Sequence, residues 1–412
     1  MSNPLQALLI DFRSGGHHLE YASNLVSELD ASGIDVEFLG PEPSERYTRH
    51  FADLNISYLF PDGRDFKSEL KRAPSEARKS ALRRVKQYAG PEYDVIHLLH
   101  MDDLIEEFYE EFTGDLGTPV VGTLNGEFFS STRWRDAPLT LLNDRLFLPS
   151  IATYLPVRNN KTTLYRCFNS GILEHLFVPT EPAAESIDRY VSGSVRSGMS
   201  VVPDPVEPWL DTLPNQANAR RELEIPIDDP TLLYFGEMRF EKGVDLLCDA
   251  LDGYDGQGFT MILAGSPTDT DKRKLADLQN PKITLDIRPE FIPEKDVPTL
   301  FSASDGVVFP YRRSFGEYRP SGVFQKACAA HRPVLAPDFG FFASRISKYG
   351  VGLMFSAGDV HSLIKKLGEF VEKTRNTPDT DRFESYVSTQ TYQNLAAITV
   401  DRYERVSSES KY

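Results

Sequence analysis

The sequence predicts an α/β protein built from two doubly wound domains. Short apolar runs alternate with amphipathic helical patterns along nearly the whole chain, and the series occurs twice. The two series are separated by residues 201–216, VVPDPVEPWLDTLPNQ, which contain four prolines and little periodicity. Alternating strands and helices are typical of parallel sheets covered on both faces. A length of 412 residues suits two such domains.

Apolar runs bounded by turn residues mark the predicted strands. In the first half they cover residues 5–11, 34–39, 56–60, 94–99, 119–124 and, more weakly, 174–179. In the second half they cover residues 232–235, 259–264, 283–285, 306–310, 333–336 and 352–355.

Composition excludes several classes of protein. The net charge of -16 predicts a surface that repels nucleic acid and anionic membrane. The three cysteines are scattered without the spacing of a metal site, which indicates a reducing compartment and no disulfide framework. The first apolar stretch is too short for a signal peptide, and no run reaches the length of a membrane span. We therefore expect a cytoplasmic protein.

The stretch LLYFGEMRFEKGVDLL, residues 232–247, predicts a strand, a short turn and a helix. The strand ends at Gly236, the turn contains Arg239 and Lys242, and helical spacing begins after Gly243. A helix that begins there directs free backbone N–H groups and a positive dipole end toward the turn. The two cations, Arg239 and Lys242, favour a binding site for a polyanion, although a solvated turn gives the same pattern.

A second turn of this kind follows the predicted strand 306–310. An arginine-rich loop leads to Ser321 and Gly322, where a helix begins with Ser321 as its expected N-cap. Because ligands of such sheets bind beyond the carboxyl ends of the strands, both turns are expected at one edge. Two anion-binding turns at one edge of the sheet favour a diphosphate ligand.

Polar residues also end three strands of the first half. The first strand is followed by Gly15 and Gly16, the strand DVIHLLH ends in His97 and His100, and VVGTLNGEFF ends in Asn125 and Glu127. A histidine at a strand end is commonly a core or capping residue. The convergence of three polar strand ends favours a ligand-binding cleft instead.

These motifs together resemble the retaining GT-B glycosyltransferases of family four. The resemblance runs from the paired glycines through DVIHLLH, TPVVGTLNG and SVVPDPVE to YFGEMRFEKGVDLL, MILAG, LFSASDGVVFPYR, SGVFQKACAAHRPVLAPDFG and YGVGLMFSAGDVHSLIKKL. It implies two Rossmann-like domains facing across a cleft. The acceptor-side domain would cover residues 1–205, the donor-nucleotide domain residues 206–387, and a helix within 388–412 would pack back on the first domain.

The resemblance also implies a function, a hexosyltransferase-like transfer of sugar from a nucleotide-diphosphate sugar to a glycan or lipid-linked acceptor. No metal and no other cofactor is implied. The implied catalytic residues are Arg239, Lys242 and Glu317. The implied donor-binding residues are Gly15, Gly16, Gly236, Ser321, Gly322, Val323, Gln325 and Lys326. The acceptor-side residues are His17, His100, Asn125 and Glu127.

Several positions depart from the family pattern. Many members have arginine where this chain has Glu237, and Arg239 follows two residues later. The usual pair of acids falls on Tyr318 and Lys326, whereas Glu317 and Gln325 have the same separation one residue earlier. These departures support an alternative, a GT-B protein without catalysis that acts as a binding or partner subunit.

Residues 63–87 are unusually basic for this chain. They contain nine basic residues and three acidic ones. The stretch predicts either a solvated helix or a docking face for an anionic membrane or phosphate-bearing lipid acceptor. The second alternative would place the protein peripherally at the inner membrane face.

Overall fold

The computed structural model divides the chain into two compact units. One contains residues 1–129, 156–203 and 392–412, and the other contains residues 130–155 and 204–391. The structure describes residues 4–13, 17–42, 55–59, 69–70, 72–114, 117–126, 128, 160–190, 198–206, 213–375 and 379–409.

The first domain contains a seven-stranded parallel sheet with the order β3-β2-β1-β4-β5-β6-β7. Its strands are β1 (Gln6–Ile10), β2 (Asp35–Gly40), β3 (Ile56–Tyr58), β4 (Val95–Leu98), β5 (Val120–Thr123), β6 (His175–Val178) and β7 (Met199–Val201). The order reverses between β1 and β4, which pair in register from Ala7 with Val95. All six predicted strands are confirmed. The short edge strand β7 is not among them, because only Met199, Ser200 and Val201 pair with β6.

The second domain contains a six-stranded parallel sheet with the order β10-β9-β8-β11-β12-β13. Its strands are β8 (Thr231–Phe235), β9 (Phe259–Ala264), β10 (Ile283–Arg288), β11 (Gly306–Val308), β12 (Val334–Pro337) and β13 (Gly352–Phe355). The order reverses between β8 and β11. Every predicted strand of this half is confirmed, with ends that differ by up to three residues.

Helices connect the parallel strands of both sheets. Those before the second sheet begins are α1 (His17–Ala31), α2 (Pro74–Tyr88), α3 (Ile105–Phe112), α4 (Asn160–Asn169), α5 (Glu181–Tyr190) and α6 (Gln216–Glu222). The remaining ones are α7 (Val244–Asp252), α8 (Asp269–Asp277), α9 (Val297–Ala303), α10 (Gly322–Ala329), α11 (Gly340–Tyr349), α12 (Val360–Thr374), α13 (Thr380–Val387) and α14 (Tyr392–Glu409). Among the described residues, no helix is both long and apolar enough to cross a membrane.

The last helix, α14, is part of the first domain. Its side chains Leu395 and Tyr403 are buried in the same apolar cluster as Leu25 of α1. The Tyr403 hydroxyl lies 2.6 Å from Nδ1 of His97, whose Nε2 lies 2.7 Å from the hydroxyl of Thr123. Burial lowers the pKa of His97 to about 3, so the ring stays neutral. His97 is therefore a core residue that fixes the helix to the sheet.

Candidate active site

The turn after β8 lies where the strand order of the second sheet reverses. It continues through Gly236 and a short 3₁₀ helix, Phe240–Lys242, to Gly243 and α7. Gly243 has a φ of 65°, and a Cβ there would lie 2.0 Å from the carbonyl oxygen of Pro310. Only glycine allows this approach of the turn to the strand end at β11. The predicted strand–turn–helix unit is thus confirmed, at the position where doubly wound sheets bind ligands.

Lys242 places a buried ammonium group in this turn. The residue is 9% exposed, and its Nζ lies 5.8 Å from the centre of the Tyr311 ring. A Cβ on Gly236 would lie 2.9 Å from this Nζ, so the glycine leaves room for the ammonium group. Burial, with a smaller contribution from the charge of Arg239, lowers the pKa of Lys242 to about 8. An anion at this site would raise that pKa again and so favour the charged form.

Arg239 is the more exposed cation of the pair. Its side chain is 37% exposed and lies between two carboxylates. Its Nε is 3.1 Å from Glu241 Oε1 and 3.7 Å from Glu237 Oε2. Exposed ion pairs of this kind contribute little to stability. A dianionic ligand can therefore compete for Arg239 at low cost.

Arg312 holds the 3₁₀ turn in place and was not singled out in the sequence. Its guanidinium group donates to both carboxylate oxygens of Asp245 at 2.8 and 2.7 Å, and to the carbonyl oxygen of Phe240 at 2.6 Å. The backbone N–H of Arg312 also donates to the carbonyl oxygen of Glu241 at 2.9 Å. A planar, bidentate pair of this kind is geometrically specific. It fixes the backbone that carries Arg239 and Lys242.

The beginning of α10 lies next to the same turn. Ser321 is its N-cap, as predicted, and accepts a hydrogen bond from the backbone N–H of Phe324 at 3.4 Å. Val323, in the first turn, has a methyl group 3.8 Å from the Cβ position of Gly236. Gly322 is exposed and has no atom within 4 Å of its Cβ position. The helix start and the Lys242 ammonium group thus both lie near the Cβ position of Gly236, an arrangement that favours an anion.

Gln325 lies inside the domain. It is 2% exposed, and its side-chain Nε2 donates to Asp204 Oδ2 at 3.1 Å while its Oε1 accepts from the Tyr386 hydroxyl at 2.7 Å. Both ends of the amide are therefore engaged within the domain. In this position the side chain anchors α10, and contact with a ribose would require it to leave both partners.

The two positions of the family's acids have different surroundings. Tyr318 is 5% exposed, so its ring is part of the domain interior. Glu317 and Lys326 are both half-buried. The Glu317 carbonyl oxygen accepts a hydrogen bond from Phe341 at 2.9 Å, and Gly340 brings the backbone of α11 close to it. Glu317 is therefore positioned by the loop–helix contact between residues 317 and 341.

The edge of the first sheet carries a different group of side chains. Asp11, directly after β1, is fully buried, and its Oδ2 lies 2.9 Å from Nδ1 of His100, which follows β4. Nε2 of His100 lies 2.7 Å from Nδ1 of His18 in α1. Burial by itself raises the pKa of Asp11, but the attraction of His100 and His18 lowers it below its ordinary value. These three residues also have the donor types of a metal site, with ligand atoms within 4.8 Å of one another.

Asn125 is the other described acceptor-side residue. Its backbone N–H donates to Asp102 Oδ2 at 2.8 Å, and its side-chain amide donates to the Leu99 carbonyl oxygen at 3.0 Å. Asp102 also accepts from the N–H of Phe128 at 2.9 Å, so this buried carboxylate shapes the loop after β5. Gly15, Gly16 and Glu127 lie outside the described residues, and so does the side chain of His17.

Three basic residues of α2 form ion pairs with acids in or just before α3. Arg78 Nη2 lies 2.8 Å from Asp103, Lys79 lies 2.6 Å from Glu110, and Arg83 contacts Glu111 through two nitrogens. The part of residues 63–87 before this helix lies mostly outside the described residues. The pairing favours the solvated helix of the two alternatives, because the neighbouring acids offset the positive charge.

Comparison with known proteins agrees with this architecture. Residues 215–387 match the family of "Glycosyl transferases group 1". HepE from Anabaena, solved in complex with UDP, is 14% identical with a TM-score of 0.67, and the match covers 97% of this chain and 100% of that one. Sucrose-phosphate synthase from Thermosynechococcus elongatus is 17% identical with a TM-score of 0.65, over 98% of this chain and 99% of that one. The chain has the GT-B fold.

One curated relative matches within a shorter region. A glycogen synthase from Thermodesulfovibrio yellowstonii is 21% identical over 151 residues, which are 36% of this chain and 29% of that protein. The GT-B fold confirms the predicted pair of Rossmann-like domains. The family match covers the second domain, which contains Arg239, Lys242 and α10.

Proposed function

We propose that this GT-B protein is a retaining glycosyltransferase that moves a sugar from a nucleotide-diphosphate sugar to a glycan or lipid-linked acceptor. One observation carries the proposal. At the reversal point of the second sheet, the buried ammonium group of Lys242 lies beside Arg239 and the beginning of α10. Burying a lysine is costly unless an anion compensates it. A diphosphate supplies that anion.

In the proposed reaction the diphosphate is the leaving group. Lys242 and Arg239 stabilise the charge that develops on it, and the N–H groups at Gly322 and Val323 add to this stabilisation. A well-placed donor of this kind contributes about 3 kcal/mol to the transition state. The proposal requires no metal, since the two cations supply the positive charge. Glu317 is assigned to the hydroxyl groups of the donor, because Gln325 is engaged with Asp204 and Tyr386.

The donor class is proposed from the structural neighbours. HepE was solved with UDP and with UDP-glucose. We therefore propose a uridine-diphosphate sugar as the donor to test first. A thermal-shift screen with UDP, UDP-glucose and the other nucleotide diphosphates is the first experiment, followed by turnover of any donor that raises the melting temperature.

A second candidate is a binding or partner subunit without catalysis. Lys326 and Tyr318 favour it, since they replace the family's acids and lysine can only donate hydrogen bonds to ribose hydroxyls. Turnover separates the two functions. A partner subunit binds the nucleotide and releases no sugar, whereas the enzyme releases nucleoside diphosphate continuously.

A further inference from the structure

The first domain has a cavity of about 570 Å³ between α4 and α14. This volume lies within the range of about 300–1,000 Å³ that is typical of ligand pockets. Glu174 and Gly198 line the cavity and directly precede β6 and β7. Because the strands of this sheet are parallel, the cavity lies at their amino ends, at the edge opposite to Asp11 and His100. We call it the amino-edge cavity, and it is separate from the polar cluster at the carboxyl ends.

Each of the two helices turns one face toward the amino-edge cavity. Residues three or four positions apart lie on the same face of a helix. The lining residues have this spacing in both helices: Tyr165, Phe168 and Asn169 in α4, and Arg402, Arg405, Val406 and Glu409 in α14. Aromatic rings and an amide thus form one wall, and charged groups form the other.

The wall from α4 combines apolar rings with unused polar groups. Tyr165 is 37% exposed, although it is a large aromatic residue, and Phe168 is half-buried. A Cβ on Gly198 would lie 3.0 Å from Cε1 of Phe168, so this glycine lets the start of β7 approach the ring. Among the described residues, neither the hydroxyl group of Tyr165 nor the side-chain amide of Asn169 has a hydrogen-bond partner. Both groups are therefore available to a ligand.

The wall from α14 contains an oriented guanidinium group. Arg402 is 26% exposed in its side chain, and its Nε donates to the hydroxyl of Ser200 at 2.9 Å. The Ser200 hydroxyl also lies 3.0 Å from Nε2 of His175. Burial lowers the pKa of His175 to about 3, so this ring stays neutral and can accept the hydroxyl proton. These contacts hold Arg402 in place, and within the described part of the chain its terminal nitrogens have no hydrogen-bond partner.

The charges of the lining cancel. Arg402 and Arg405 are matched by Glu174 and Glu409, and Arg405 is itself paired with Asp401 at 2.9 Å. Burial and the negative charge of Glu409 raise the pKa of Glu174, which forms no ion pair with any described residue. A lining without net positive charge does not favour an anion. It offers hydrogen-bond acceptors and donors in one cavity instead.

We propose that the amino-edge cavity binds a neutral saccharide. The CH groups on one face of a sugar ring would pack on Tyr165 and Phe168. Sugar hydroxyls both donate and accept, so they can donate to Glu174 while they accept from Arg402 and Asn169. The binding itself does not depend on the proposed function, whereas its role rests on that function. In that role the cavity holds a distant sugar unit of a glycan acceptor, which favours a glycan over a lipid-linked monosaccharide.

The test screens the full chain on an array of short neutral oligosaccharides of glucose, galactose, mannose and N-acetylglucosamine. The best of them is then titrated by calorimetry. We expect Tyr165→Ala, Asn169→Ala and Arg402→Gln each to weaken its binding about tenfold, the effect of losing one well-placed contact. Tyr58→Ala is the matched control, because Tyr58 is a 42% exposed tyrosine of β3 in the same domain, and it should bind as wild type does. All four variants should bind UDP with the affinity of wild type.

The remaining outcomes separate this proposal from the proposed function. A chain that binds no oligosaccharide of the array overturns the saccharide site, and so does binding that all three cavity variants leave unchanged. Inorganic phosphate that binds only when Arg402 is present, without saccharide binding, would make the cavity an anion site. Wild type that binds the oligosaccharide but not UDP overturns the proposed function alone. Circular dichroism verifies that each variant is folded.

Discussion

The two sheets use the same topological position for opposite chemistry. In the first sheet the reversal between β1 and β4 carries a buried carboxylate and two imidazoles. In the second sheet the reversal between β8 and β11 carries a buried lysine, an arginine and a helix start. The fold determines where a ligand binds, and the residues there determine which ligand. The first edge holds a hydrogen-bonded cluster of acid and imidazole groups, whereas the second edge is suited to hold an anion.

The largest effect is expected from a variant that destabilises the turn after β8, at the second edge. Arg312→Ala removes a side chain that is 3% exposed and leaves the carboxylate of Asp245 without its bidentate partner. We expect a loss of about 3 kcal/mol in the free energy of unfolding, the low end for breaking a buried pair, since Asp245 is 25% exposed. Urea unfolding measures it. The control is Arg313→Ala, whose exposed pair with Asp338 spans 3.7 Å and should change the value by under about 0.5 kcal/mol. Equal losses in the two variants would contradict the role of Arg312.

Removing either cation of the second edge should reduce turnover and spare the fold. Lys242→Ala and Arg239→Ala are each expected to lower turnover at least about tenfold, equivalent to roughly 1.4 kcal/mol of transition-state stabilisation. Steady-state rates of UDP release measure the effect. Lys366→Ala, an exposed residue paired with Glu369 on α12, should be as active as wild type. Full activity of both cation variants would contradict the stabilisation of a leaving diphosphate by Lys242 and Arg239.

Nucleotide binding to the second edge should weaken as the pH rises through about 8, the pKa of Lys242. Above that pH the free protein loses the ammonium proton that an anion requires, so the dissociation constant for UDP should rise by up to about tenfold per pH unit. The same titration has the opposite effect on the stability of the fold. Between pH 8 and the ordinary value of 10.5 the unfolded chain binds more protons, so this group increases stability as the pH rises. Lys242→Arg should bind UDP without this dependence, because arginine stays charged. A parallel decline in Lys242→Arg would assign the titration to another group.

The smallest effect is expected at the basic helix of the first domain. The ion pairs of α2 with acids in or just before α3 predict no measurable sedimentation with anionic vesicles at low salt. Arg83→Gln and Arg84→Gln should leave this result unchanged. Salt-sensitive binding that these variants reduce would establish the docking face that the sequence also allows.

The sequence predicts the sheets well because parallel strands buried on both faces appear as continuous apolar runs. β9 and β13 have the predicted ends, and the turn with Arg239 and Lys242 lies where the glycines place it. β7 escaped prediction because three half-buried residues give no apolar run.

Individual side chains were less predictable than the fold. Gln325 was expected at the ligand, but the phase of α10 turns it toward Tyr386. Arg312 and Asp245 are 67 residues apart, so no local sequence pattern predicts their ion pair. The sequence does not show which histidine of the HH dipeptide contacts His100. The position at which α1 begins determines that it is His18. Asp11 is the polar last residue of a predicted strand. Its burial depends on the packing around the sheet and is seen only in the structure.

Calorimetric titration with UDP tests the central claim, that the second edge holds a nucleotide diphosphate, most directly. The account predicts that wild type binds UDP with one site per chain and that Lys242→Ala and Arg239→Ala each bind at least about tenfold more weakly, a loss of roughly 1.4 kcal/mol. His18→Ala should bind UDP as wild type does, because His18 belongs to the first domain and both cations belong to the second. Affinity for UDP that is unchanged in both cation variants, or reduced equally in His18→Ala, would contradict the assignment of the diphosphate to the second edge.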